Sequence, residues 1–199
     1  MERLSLVAES RRNSPTESVR RDADTPMLFT QIRQPVDNYL AVPEVSSQNR
    51  RYIPIGFLTP DVIASNKLYL VPDADLYMFG VMMSNVHMAW TRVVCGRLKS
   101  DYSYSPAVYN NFPWPKPTEE QKKKIEQSAQ GILDARAKYQ NSSLADLYDE
   151  LTMPPELRRA HQNNDRAVMQ AYGFPIKGFT EADCVAELMK LYQALTEKS

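Results

Sequence analysis

The apolar positions of this chain change period along its length, and each change marks an element. Short apolar runs at residues 39–42, 51–58 and 67–71 are closed by Pro43, by Thr59-Pro60 and by Pro72-Asp73, which predicts three strands. Pro54 lies inside the second run and cannot donate to a ladder, so that strand belongs at an edge or a bulge. Over residues 76–95 the apolar positions Phe79, Met82, Met83, Val86, Ala89, Trp90 and Val93 recur at helical spacing, predicting one helix with Gly96 as its C-cap. Residues 97–105 then alternate strictly. Arg97, Lys99, Asp101, Ser103 and Ser105 fall on one face and Leu98, Ser100, Tyr102 and Tyr104 on the other, as in a strand or an extended hairpin arm.

Beyond the proline-rich stretch 110–117 only helical signals remain. Thr118 with Gln121 forms a capping box ahead of a stripe of Ile125, Ala129, Ile132, Leu133 and Tyr139. Ser143 with Asp146 starts a short helix, Pro154-Pro155 opens a third that Gly173 closes, and Thr180 with Asp183 caps a fourth. The expected fold is therefore α+β. A small mixed sheet with a buried helix occupies residues 26–115, and an all-α four-helix domain occupies 116–199. Residues 1–25, charged and Ser-rich with Arg11-Arg12 and Arg20-Arg21, read as a helix or a loose lead-in.

Composition narrows the class of partner. The 24 basic and 24 acidic residues cancel, so any contact with a polyanion must come from a local patch rather than from net charge. Cys95 and Cys184 lack metal-ligand spacing and suit buried thiols in a reducing compartment. With no signal peptide and no apolar run of membrane length, the expected location is the cytoplasm, with no membrane partner.

The alternating arm carries the candidate chemistry. Lys99 and Asp101, two residues apart, offer a donor and an acceptor side by side. In the major groove a guanine edge presents the acceptors O6 and N7, while its partner cytosine presents an amine, so such a pair matches a G·C edge. Arg97 and Ser103 flank it, Arg97 suited to a phosphate. Arg50 and Arg51, before an apolar run, are further phosphate candidates, though surface ion pairs would account for them equally. The competing reading of the arm is an exposed strand whose outward charges discourage edge pairing.

Beyond these patterns, particular segments carry a family likeness. Cys95-Gly-Arg-Leu-Lys-Ser-Asp-Tyr-Ser-Tyr-Ser105 and Val108-Tyr-Asn-Asn-Phe-Pro-Trp-Pro115 resemble the C-terminal part of MmeI-like (type IIL) restriction-modification enzymes. So do Ile32-Arg-Gln-Pro35, Tyr52-Ile-Pro-Ile-Gly-Phe57, His87-Met-Ala-Trp90, Leu144-Ala-Asp-Leu-Tyr-Asp149, Leu151-Thr-Met-Pro-Pro-Glu-Leu157 and Asp165-Arg-Ala167. In that family one polypeptide joins an endonuclease, an adenine methyltransferase and a target recognition domain. The resemblance implies that this chain is the latter part of the recognition domain plus the helical C-terminal domain. Its partners would be double-stranded DNA and the methyltransferase domain of the same polypeptide, where S-adenosylmethionine would bind; no cofactor is expected in this chain. The family's base-specifying pair falls on Lys99 and Asp101, the Lys-x-Asp version being associated with guanine. A second specifying position falls on Ser103, working with a residue near Lys67; many relatives carry arginine at the former, and residues 104–109 form a stretch one residue shorter than usual.

Other signals carry less. Asn111-Phe-Pro-Trp114 has the wrong residue order for an adenine methyltransferase motif, and no Gly-rich loop follows a strand, so no catalytic residue is expected. His87 and His161 lack neighbouring carboxylates or cysteines, and no metal site is expected. Lys122-Lys-Lys124 suits a solvated helix face. An alternative function is a protein-interaction or structural helical module without base readout, with Met78 to Met88 as its docking helix; burial of Met82 and Met83 would remove that option.

Overall fold

Where proline and small polar residues interrupt the apolar pattern the chain turns, and the resulting elements are short. A computed structural model describes residues 2–30 and 33–197, leaving Met1, Gln31, Ile32, Lys198 and Ser199 outside the described residues, Ile32 of the family-like segment among them. The chain divides into two units, Met1–Pro35 and Val36–Ser199. In the first, α1 (Glu2–Arg12) and α2 (Glu17–Arg21) precede a 3-10 turn at Asp22–Asp24. The Arg11 guanidinium fastens this unit, donating to the carbonyls of Asp22, Thr25 and Leu28 at 2.8, 2.9 and 2.6 Å.

The second unit opens with β1 (Tyr39–Pro43), β2 (Val45–Ser46), β3 (Gly56–Leu58) and β4 (Leu68–Val71). Two helices follow, α3 (Leu76–Met82) and α4 (Asn85–Val94), then the hairpin strands β5 (Gly96–Leu98) and β6 (Asp101–Ser103) and the short α5 (Pro106–Asn110). The α+β class stands, and α4 is the buried helix. The strands, expected as one mixed sheet, form two antiparallel sheets of three, in the orders β3-β1-β4 and β2-β6-β5. Glu44 lies between β1 and β2, so the chain leaves one sheet and enters the other within a single residue.

Two expected elements are shorter than their patterns. The helix over residues 76–95 breaks at Met83-Ser84: the Ser84 hydroxyl accepts from His87 N at 3.2 Å as an N-cap and donates to Val81 O at 2.7 Å. Freed from the helical ladder, the Met83 carbonyl is engaged by His161 instead. The apolar run at 51–58 pairs only over Gly56–Leu58, because Ile55 N turns back to Ile53 O at 2.8 Å just after Pro54. Gly96 is not a C-cap. Cys95 is already extended there, and Gly96 begins β5.

Four helices complete the unit: α6 (Glu119–Ala137), α7 (Leu144–Leu147), α8 (Pro155–Tyr172) and α9 (Glu181–Thr196). Their ends follow local chemistry. Thr118/Gln121, Ser143/Asp146 and Thr180/Asp183 all close capping boxes, Pro155 stands in the first turn of α8, and Gly173 ends it at φ +73°. One apolar cluster spans the strands and all four of these helices, from Leu40 and Ile55 through Phe79 and Met83 to Ile125, Leu157 and Leu188. Met82 and Met83 are core residues of it, which removes a docking role for the methionine-rich segment. The fit is close at Gly80, where a Cβ would lie 2.7 Å from Ile125 Cγ2, so only glycine lets α3 approach α6.

A buried polar network crosses this core. Arg136 of α6 donates through Nη1 to Ile55 O at 2.9 Å, and through Nε and Nη2 to the Tyr148 hydroxyl at 2.9 and 2.5 Å. With two donors on its oxygen, Tyr148 passes its own proton toward His161 Nε2 at 2.7 Å, leaving Nδ1–H of that ring to donate to Met83 O at 3.2 Å. The Tyr52 ring stacks on His161 with centroids 4.0 Å apart, and its hydroxyl donates to Asp165 Oδ2 at 2.6 Å. Asp165 Oδ1 accepts Asn85 N at 2.8 Å, at the start of α4. The loop that leads from Arg50-Arg51 into β3 is thus tied to α6 and α8 by hydrogen bonds as well as by packing.

Candidate nucleic-acid interface

The arm over residues 97–105 is a hairpin rather than one strand. Its register pairs Gly96 with Ser103, Arg97 with Tyr102 and Leu98 with Asp101, which leaves Lys99 and Ser100 as a two-residue loop. Lys99 takes φ +56°, a left-handed conformation that glycine or asparagine adopts more readily. Strict alternation concealed this turn. Lys99 and Asp101 therefore do not share a strand face: Lys99 is exposed at the tip, while Asp101 is the first residue of β6 and half-buried. Both remain at the same end of the hairpin, outside the apolar core.

The pairing also separates Arg97 from its expected neighbours. Residues opposite one another share a face, so Arg97 lies with Tyr102, and Asp101 and Ser103 lie on the other side. Arg97 stacks its guanidinium 4.1 Å above the Tyr102 ring and donates to Ser100 O at 3.1 Å, bracing the hairpin from behind. Beyond the turn the expected alternation holds, with Asp101 and Ser103 half-exposed around the buried Tyr102.

Lys67 comes to the same region through Glu44. Its Nζ lies 2.9 Å from Glu44 Oε2, its carbonyl accepts Glu44 N at 2.9 Å, and Glu44 O accepts Tyr104 N at 2.7 Å. Ser103 pairs with Val45, the next residue along, so Lys67, Glu44 and Ser103 stand at neighbouring positions. Arg50 and Arg51 stand apart from the hairpin. They line a cleft of about 380 Å³ together with Asn85, Arg92, Glu150 and Glu181, where Arg92 and Glu181 form an ion pair at 2.6 Å. The loop carrying them is nevertheless bonded to the hairpin, because Gln48 N donates to Asp101 Oδ1 at 3.2 Å. Sequence reading missed Glu44 and Gln48, whose partners lie 23 and 53 residues away. No glycine lines the cleft, whose wall mixes the charged Arg50, Arg51, Arg92, Glu150 and Glu181 with the apolar Val86, Ala89, Met169 and Phe179.

Both histidines are structural. Burial holds His87 down to about 4, and burial together with the Arg136 charge holds His161 down to about 3, while burial raises the Asp165 carboxyl to about 6. These shifts set a pH response. The unfolded histidines gain protons below about 6.5 that the folded ones refuse, so stability is lost as the pH falls; Asp165 opposes this, gaining its proton earlier when folded. Two groups against one leave a net dependence of about 1.4 kcal/mol per pH unit between roughly pH 6 and 4.5. Urea unfolding across that interval is expected to show stability falling on acidification, and a flat or rising trend would refute the assignment. Among the described residues no group of three or more His, Cys, Asp or Glu could hold a metal, and no helix is long and apolar enough to cross a membrane.

Comparison with known proteins agrees with this architecture. Residues 1–116 match the family model described as MmeI, target recognition domain, and residues 117–198 match MmeI, C-terminal domain. DNA methyltransferase A of Bacillus subtilis (strain 168) is 40% identical over 199 residues, covering 99% of this chain and 22% of that protein. A solved structure of the type IIL restriction-modification enzyme MmeI in complex with DNA is 48% identical, with a TM-score of 0.89, covering 98% of this chain and 26% of that one. The chain thus spans about a quarter of the length of the relatives it matches. It belongs to the MmeI family, its first 116 residues being a target recognition domain and residues 117–198 the C-terminal domain that follows.

Proposed function

We propose that this chain recognises a specific sequence in double-stranded DNA on behalf of a cytoplasmic adenine-specific methyltransferase of the restriction-modification type. Membership of the target recognition family carries this reading, and the likeness to an enzyme solved with DNA supports it. The hairpin tip enters the major groove. Lys99 donates to guanine O6 or N7, and Asp101 accepts the amine of the paired cytosine. Ser103, with Lys67 and its partner Glu44 beside it, faces a neighbouring base pair, while Arg50 and Arg51 approach phosphates and set register. Methyl transfer belongs to a domain outside these residues, which would hold S-adenosylmethionine; no step of that chemistry falls to the side chains of this chain.

Selection from a pool of randomised duplexes by the full-length protein tests the reading. A defined site containing a G·C pair is the expected result. Retention of duplexes without sequence preference would overturn it. Phosphate contacts make the affinity fall with salt, so the selection belongs at low salt.

A further inference from the structure

We infer that the turn formed by Ser47, Gln48, Asn49 and Arg50 is a positioning device for Asp101, whose backbone N–H at Gln48 fixes one carboxylate oxygen so that the other alone is offered to a base. The inference rests on the reading of Asp101 as a base-contacting residue and adds what holds it. Strand β2 pairs with β6 as Val45 with Ser103 and Ser46 with Tyr102, so the chain leaves the ladder opposite Asp101. At that point the side chain of Asp101 replaces the next backbone acceptor, taking Gln48 N at 3.2 Å. The turn is itself closed, with Arg50 N bonded to Ser47 O at 3.1 Å and Asn49 N to Ser47 Oγ at 3.3 Å, so the donor is held in place before any ligand arrives.

Two consequences follow for recognition. Within its base pair a cytosine amine has one hydrogen left to present to the groove, and a single free oxygen is sufficient to accept it. A carboxylate already fixed loses less rotational freedom on binding, which sharpens the penalty for a base that lacks the amine. The same turn contains Arg50 and leads directly to Arg51, so readout and backbone contact share one segment of chain.

Gln48 occupies the second position of its turn, where proline is favoured, and it has no positive φ; Ser47 before it directly follows a strand, as a residue preceding proline should. Gln48→Pro therefore deletes the donor with little disturbance, and Gln48→Ala keeps it. In selections with the full-length protein, Gln48→Pro is expected to weaken the preference at the Asp101 pair about fivefold, with Gln48→Ala unchanged and no added effect in an Asp101→Ala background. Asp101→Asn supplies a readout independent of the turn's stability. Its oxygen still accepts Gln48 N–H while its amide now donates, so the preference should move to a base presenting an acceptor. If Asp101→Ala loses the preference but Gln48→Pro retains it, or Asp101→Asn merely behaves like Asp101→Ala, the positioning role falls and base contact stands. If Asp101→Ala itself retains the preference, both fall.

Discussion

Arg136→Ala is expected to lower the unfolding midpoint by about 10 °C, because one guanidinium ties α6 to Ile55 just before β3 and to Tyr148 at the end of α7. Arg136 is 9% exposed, and its guanidinium lies 5.2 and 4.9 Å from the ring centroids of Phe79 and Tyr148. Truncation leaves a cavity and strips the donors from Ile55 O and the Tyr148 hydroxyl, both enclosed by the core. Relief of the buried charge offsets part of this, so the net loss is about 3 kcal/mol, which for a unit of this size corresponds to that shift. Arg136→Lys keeps the charge but cannot reach both partners at once, and should fall between. Calorimetry of the three proteins checks the order; a shift below about 3 °C for alanine would mean that packing alone holds α6 to the strands.

Lys99→Ala with Asp101→Ala should erase the preference at one base pair while leaving the rest of the site intact. A well-formed pair of groove contacts discriminates by about 1–3 kcal/mol, so the expected relaxation is roughly tenfold to a hundredfold at that position. Stability should fall only slightly, by about 1 kcal/mol for the lost bond from Gln48 N–H to Asp101, since neither side chain belongs to the core. Lys99→Gly separates fold from recognition. It removes the ammonium and also relieves the φ of +56°, so it should raise stability by about 1 kcal/mol while losing the same preference. A left-handed lysine at the tip of a two-residue loop is poor turn chemistry, which the proposed base contact would account for.

Local chemistry made the helical half of the molecule readable. Thr118, Ser143, Thr180, Pro155 and Gly173 act on backbone groups within a few residues, so their meaning is contained in a short window of sequence. The break at Ser84 had the same kind of signal, but seven apolar residues at helical spacing around it outweighed one serine. The hairpin was harder. Lys99-Ser100 contains none of the glycine, asparagine or aspartate favoured in two-residue hairpin loops, and an unbroken alternation across such a loop looks the same as one strand. Least readable were contacts between distant segments: Arg136 to Ile55 spans 81 residues, Tyr52 to Asp165 spans 113, and Gln48 to Asp101 spans 53. These depend on tertiary packing that no local pattern encodes. The candidate base-reading residues were named without them, from groove chemistry and family likeness; how they are held was not.

Recognition turns on whether the Lys99 ammonium touches a guanine edge. Replacing the guanine of the selected site by 7-deazaguanine removes N7 and leaves Watson–Crick pairing unchanged, so binding to the two duplexes can be compared for the full-length protein and for its Lys99→Ala variant. With the ammonium on N7, the original protein should lose about tenfold in affinity and the variant nothing. Equal losses in both proteins, or none in either, would contradict a Lys99 contact at guanine N7.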